Sequence, residues 1–114
     1  MDTGILKGLR ILDFTWVLAG PYATRLLADF GAEVIKVQSK KTAGGVESNL
    51  TGYFSHWNRN KRSITLDMSH PEAKEIVLRL ARISDVVIEN FSTRVMSNWG
   101  LDYNRLKEVN PISL

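Results

Sequence analysis

Three cations, Arg59, Lys61 and Arg62, stand within four positions, and an alternating run, Ser63-Ile64-Thr65-Leu66, follows at once. Like charges at the mouth of a strand suit an anionic ligand, and they also suit a plain solvated strand entrance. A second basic pair, Lys40-Lys41, precedes Gly44-Gly45 and reads either as exposed surface or as a phosphate-facing loop. Ser69, His70 and Asp67 supply the residue types of a hydrolytic triad, but immediate neighbours point in different directions and do not converge on one atom. His70 stands before Pro71, so helix-start chemistry explains it better. His56 and His70 are far apart and lack an acidic partner at ligand spacing, so no metal site is expected. The absence of cysteine removes disulfides, a thiolate nucleophile and Cys-ligated metals.

The bulk numbers bound the rest. The 114 residues give room for one small domain, and a chain 44% hydrophobic and 24% charged is an ordinary globular mixture. Fifteen Lys and Arg are interleaved with twelve Asp and Glu, for a net charge of +3. A nucleic-acid binder gathers a stronger basic excess on one face, so no nucleic-acid partner is expected. No apolar run approaches the roughly 18 residues that a membrane span needs, and the N-terminus does not read as a signal peptide. A cytoplasmic protein with no membrane contact is expected. Asn110-Pro111-Ile112-Ser113-Leu114 reads as a turn and the first residues of another strand, which suggests a fragment of a larger fold.

The elements that must position these residues alternate between strand and helix. Leu9 to Phe14 is a compact apolar run, as a strand buried on both faces would be. Gly20-Pro21 suits the start of a helix, on which Tyr22, Leu26, Leu27 and Phe30 recur at helical spacing, with Gly31 in the place of a C-cap glycine. Glu33 to Val37 is a second strand, and the βαβ unit implies a parallel sheet. Residues 39–57 read as a long loop with a short helical turn over Phe54 to Trp57, and long loops in compact α/β domains are commonly functional or flexible. Ser63 to Leu66 is the third strand. Ser69 and Glu72 match a capping box for a helix whose buried face is Ala73, Ile76, Val77, Leu80 and Ile83, with Lys74, Glu75, Arg79 and Arg82 in water. Asp85 to Glu89 is the fourth strand. Short helices follow over Ser92 to Asn98 and Tyr103 to Val109. The fold class is α/β, a Rossmann-like parallel sheet with flanking helices.

Ligands of open parallel sheets bind beyond the carboxyl ends of the strands. Here that edge carries Thr15 to Ala19, Gln38 to Lys41, Asp67 to Ser69 and Asn90 to Ser92. A dinucleotide fingerprint is absent, because Thr-Trp-Val-Leu-Ala-Gly-Pro follows the first strand where GxGxxG is needed. Gln38-Ser39-Lys40-Lys41 stands where the ribose-binding acid belongs. Lysines there favour a nucleotide with an additional ribose phosphate. The residues alone leave an α/β domain suited to a phosphorylated nucleotide.

The segments "GLRILDFTWVLAGPYATRLLADFGAEVIKVQ", "NRNKRSITLDM", "DVVIENF" and "WGLDYNRLKEVNP", in this order over residues 8–111, resemble the opening of the family III CoA-transferases. That group includes formyl-CoA transferase, carnitine CoA-transferase and the α-methylacyl-CoA racemases. The resemblance implies an interlocked homodimer with a Rossmann-like large domain, of which residues 1–114 would be the N-terminal part. Coenzyme A or acyl-CoA would be the substrate, with a carboxylic acid as acceptor and no tightly bound cofactor. Carried over motif by motif, the coenzyme contacts are Leu18 and Ala19 after the first strand, then Leu66, Asp67, Met68 and Ser69 after the third. Asn90, Phe91 and Ser92 follow after the fourth. Ser39, Ser69 and Asn98 stand where the family often carries arginine, lysine and arginine, and Lys40, Lys41 and Arg94 lie close enough to substitute. In the family's transferases an aspartate attacks the thioester and passes through a mixed anhydride and an aspartyl-CoA thioester. In its racemases a histidine and an aspartate move the α-proton. Both sets of family positions lie beyond Leu114, and neither Asp13 nor Asp67 matches them, so no catalytic residue is expected within this chain. A non-catalytic basic binding module is the reading from a different class.

Overall fold

The computed structural model describes residues 4–39, 52–92 and 94–110. Strand β1 (Arg10–Asp13) is followed by helix α1 (Ala19–Asp29), strand β2 (Glu33–Gln38), helix α2 (Gly52–Trp57) and strand β3 (Arg62–Thr65). Helix α3 (Pro71–Arg82), strand β4 (Val86–Ile88) and the short helices α4 (Val95–Asn98) and α5 (Tyr103–Val109) complete the order. The four strands make one parallel sheet in the order β3-β2-β1-β4, so the chain crosses over between every pair of neighbours as parallel pairing demands. The α/β, Rossmann-like expectation is met.

Strand alternation sends side chains to two helical layers. Ile11 and Val34 pack with Ala28 and Ala32 on the α1 side. Leu12 and Phe14 pack with Val77, Leu78 and Ala81 of α3 on the other, joined by Met96 and Leu101. At the opposite edge from the strands' carboxyl ends, Arg10 ties three elements. Its Nε donates to Glu33 at 2.8 Å, its guanidinium to the Ile83 carbonyl at 3.0 Å, and its backbone N–H to Asp85 at 2.8 Å. Gly31 holds φ 109° directly after the last turn of α1, the left-handed position that ends a helix and that glycine adopts without steric cost.

Three local expectations are corrected. Helix α1 turns Gly20, Pro21, Thr24, Arg25 and Ala28 inward, while Tyr22, Leu26 and Phe30 stand exposed. Its apolar stripe faces out because the inner face must approach the sheet closely and meet the buried polar side chains described below. On α3 the buried residues are Ala73, Val77, Leu78 and Ala81, and Ile76 and Ile83 are exposed. The buried face is centred nearer Leu78 and Ala81 than the spacing suggested. The cap of α3 is His70, whose Nδ1 accepts from the Glu72 N–H at 3.2 Å with Pro71 at the first helical position. Ser69 is unavailable for that bond because both its N–H and its hydroxyl donate to Asp67 Oδ1. The helical turn before β3 spans Gly52–Trp57, and Tyr103–Val109 matches its expected range. The loop carrying Lys40, Lys41 and Gly44-Gly45, and the strand start expected at 111–114, lie outside the described residues.

Candidate functional site

A cavity of about 580 Å³ opens beyond the carboxyl ends of β1, β2 and β3, within the size range of ligand pockets. Its wall from the first strand is Phe14, Thr15 and Trp16, and from the second Lys36 to Ser39. Leu66 to Ser69 follow from the third, and Phe91, Val95, Asn98 and Trp99 close it. The face formed by Phe91, Trp99 and Phe14 is aromatic: Phe91 meets Trp99 edge-on with centroids 5.5 Å apart, and Phe14 lies 6.3 Å from Trp99. Such a wall suits a flat or apolar part of a ligand. Lys36 and Asp67 are the charged members of the described lining.

The turn after β1 is built by side chains. Asp13 Oδ1 accepts from the Thr15 N–H at 2.8 Å and from the Thr15 hydroxyl, and its Oδ2 accepts from the Thr24 hydroxyl at 2.7 Å. Lys36 Nζ donates to the Thr15 carbonyl at 2.7 Å and is 5.8 Å from the Phe54 ring centroid. The Asn90 amide takes both backbone groups of Trp16. Its Oδ1 accepts from the N–H at 3.1 Å, and its Nδ2 donates to the carbonyl at 2.9 Å. Val17 comes next with φ 71°, and Leu18 then begins α1 without a side-chain cap. Gly20 allows the closure, since a Cβ there would fall 2.3 Å from Thr15 Cβ.

The basic run at 59–62 is held by internal acids, which corrects the expectation of an anionic ligand. Lys61 runs beneath α1 to Asp13, its Nζ 3.1 Å from Oδ2 with both side chains buried, and also donates to the Pro21 carbonyl and the Asn58 amide oxygen. Arg59 pairs with Asp29 at 2.9 Å and Arg62 approaches Glu33 at 3.9 Å. The hydrogen bond from Arg59, helped by Asn60 and opposed by partial burial, holds the Asp29 carboxyl below its ordinary value, and the same bond raises Arg59. These charges join elements of the fold. None of the three lines the cavity.

Seven of the residues expected at the coenzyme line this cavity: Ser39, Leu66, Asp67, Met68, Ser69, Phe91 and Asn98. Leu18, Ala19, Asn90 and Ser92 are at the same sheet edge but outside the described lining, and Lys40 is outside the described residues. Asp67 and Ser69 are bonded to each other, and His70 serves the α3 backbone, so no triad forms. Lys36 was not singled out in the sequence. Within Glu-Val-Ile-Lys-Val it reads as an ordinary outward strand residue, and only its alternation with Val34 toward the α1 side hints at burial. Among the described residues no group of three His, Cys, Asp or Glu gathers as a metal site, and no helix is long and apolar enough to cross a membrane.

The sequence pattern of CoA-transferase family III matches residues 6–112. The chain is 44% identical to the formyl-CoA:oxalate CoA-transferase of Rhodopseudomonas palustris (strain HaA2), an alignment covering 96% of this chain and 27% of that enzyme. It is 43% identical to the succinyl-CoA:mesaconate CoA-transferase of Haloarcula hispanica, covering 95% of this chain and 30% of that one. The crystal structure of Rv3272 from Mycobacterium tuberculosis superposes with a TM-score of 0.89 at 42% identity, covering 98% of this chain and 31% of that one. The chain therefore spans between a quarter and a third of the length of these relatives, and by the match over nearly all its residues it belongs to CoA-transferase family III.

Proposed function

We propose that these residues form the N-terminal, CoA-binding part of the large domain of an enzyme that moves coenzyme A from an acyl-CoA to a carboxylic acid. The observation that carries the reading is the cavity at the carboxyl edge of the sheet, lined by Ser39, Leu66 to Ser69, Phe91 and Asn98, in a chain of this family. Leu18, Ala19, Asn90 and Ser92 border the same edge, and Lys40 follows Ser39 directly. The aromatic wall supports seating of a flat or apolar portion of the coenzyme. Transfer is preferred to racemisation because the relatives' names describe CoA-transferases.

The reaction we assign runs through an aspartate from outside these residues. Its carboxylate attacks the acyl-CoA thioester, and the CoA thiolate leaves as a mixed anhydride forms. Attack of the thiolate on the aspartyl carbonyl releases the first carboxylate and leaves an aspartyl-CoA thioester, from which the acceptor acid takes the coenzyme. Asp13 does not serve as the nucleophile. It is fully buried, and its two oxygens are taken up by Thr15, Thr24 and Lys61. We place the enzyme in the cytoplasm as an interlocked homodimer, for which the exposed Tyr22, Leu26 and Phe30 of α1 give support.

Calorimetric titration of the full-length protein with free CoA tests the reading, with saturable binding expected. Binding unchanged on replacing Phe91 and Asn98 with alanine would remove this cavity from it. Turnover of an acyl-CoA by the purified 114-residue chain alone would place the nucleophile among these residues and overturn the assigned mechanism.

A further inference from the structure

Beyond Phe14, whose N–H still pairs with the Ile88 carbonyl at 2.9 Å, the backbone of Thr15 and Trp16 is held by side chains. Asp13 takes the Thr15 N–H, Lys36 the Thr15 carbonyl, and Asn90 both the N–H and the carbonyl of Trp16. Asn90 thus pairs with Trp16 as a neighbouring strand would, although β4 itself has ended at Ile88. The next residue, Val17, sits at φ 71°, a region that β-branched residues avoid. Such a conformation persists where the surroundings over-determine it, and here both peptide groups of the residue before it are fixed by one amide. Trp16 lines the cavity while Asn90 does not.

We infer that Asn90 is a positioning residue for the ligand site: its side chain acts through Trp16, setting the cavity wall and the first turn of α1, and does not itself contact the coenzyme. The effect on affinity rests on the CoA reading above, whereas the effect on the turn does not.

The test uses the full-length protein with Asn90→Ala, and with Asn90→Asp as a second variant that keeps the acceptor for the Trp16 N–H but turns an oxygen toward its carbonyl. Hydrogen exchange and CoA titration are measured together. Amide exchange over residues 15–18 should speed up about tenfold while β2 and α3 stay protected, and CoA affinity should fall about tenfold, equivalent to roughly 1.4 kcal/mol. Weakened affinity with unchanged exchange at 15–18 would mean direct contact and overturn the inference. Faster exchange with unchanged affinity, or equal acceleration through the whole sheet, would overturn it as well. Failure of the parent protein to bind CoA would defeat the functional reading, and exchange at 15–18 would still decide whether Asn90 holds the turn.

Discussion

Lys61 Nζ lies 3.1 Å from Asp13 Oδ2, with 1% and 0% of the two side chains exposed. The pair joins the approach to β3 to the end of β1 under the first turns of α1. Asp13 also accepts from Thr15 and Thr24, so one buried carboxylate binds a turn, a helix and a neighbouring strand's entrance. Removing one partner of a buried pair leaves an uncompensated charge, which typically costs about 3–5 kcal/mol. Lys61→Met is expected to destabilise by about that much, and adding Asp13→Asn should recover part of the loss. Urea unfolding of the two single variants and the double variant checks this. A neutral Lys61→Met would show that the pair contributes nothing to stability.

Acid should weaken the link between α1 and the segment before β3. Arg59 holds the Asp29 carboxyl below its ordinary value of 3.8 in the folded protein. The unfolded chain therefore takes up the proton first as pH falls. The stabilisation is complete above the ordinary carboxylate range and disappears as pH drops through the folded-state value. Asp29→Asn should flatten the acid limb of a stability-against-pH curve and leave the limb above neutrality unchanged. An unaltered acid limb in the variant would show that this ion pair contributes nothing to the pH dependence.

Gly20 and Gly52 should respond oppositely to alanine. At Gly20 the new methyl would meet Thr15 Cβ at 2.3 Å, and overpacking of that kind costs about 1–3 kcal/mol. At Gly52 nothing lies within 4 Å, and gaining alanine at a helical position stabilises by up to about 1 kcal/mol. Thermal midpoints of the two variants measured side by side settle the comparison.

The 114-residue chain by itself should self-associate. Tyr22, Leu26 and Phe30 form an exposed stripe on α1, and exposed apolar patches mark interfaces or aggregation hazards. Sedimentation should show species larger than a monomer, a hydrophobic dye should bind, and unfolding should be broad. Leu26→Lys with Phe30→Glu should shift the population toward monomer. A clean monomer with a sharp two-state transition would mean that the stripe needs no cover.

The sheet was legible because strands buried between helical layers must be short apolar runs, as at Ile11-Leu12 and Val86 to Ile88. The ligand edge followed from the strand ends alone, and Ser39, Leu66 to Ser69, Phe91 and Asn98 do meet there. Lys61 was misread because a lysine between two arginines looks solvated. Its partner, Asp13, becomes adjacent only through the parallel pairing of β1, β2 and β3. Lys36 was hidden by the same non-locality. The outward stripe of α1 defeated the periodicity argument, since helical spacing identifies an apolar face without saying which neighbour that face meets. Ser69 and His70 were one residue apart as candidate caps, and Asp67 decided between them by taking the serine hydroxyl.

Asn90 is 74 positions beyond the Trp16 that it holds, and this separation sets an order of events during synthesis. At about 5–20 residues per second, a ribosome that has already released the turn after β1 needs roughly 4 to 15 s more to supply the amide that secures it. Until then β1 also lacks β4 along one edge, and contacts so distant in sequence form slowly. Coenzyme cannot template the early stages of folding, because its wall at Trp16 is completed only when the fourth strand arrives. The nascent chain must pass through that interval with an open sheet edge, which makes this protein a natural client for chaperones that shield unpaired strands.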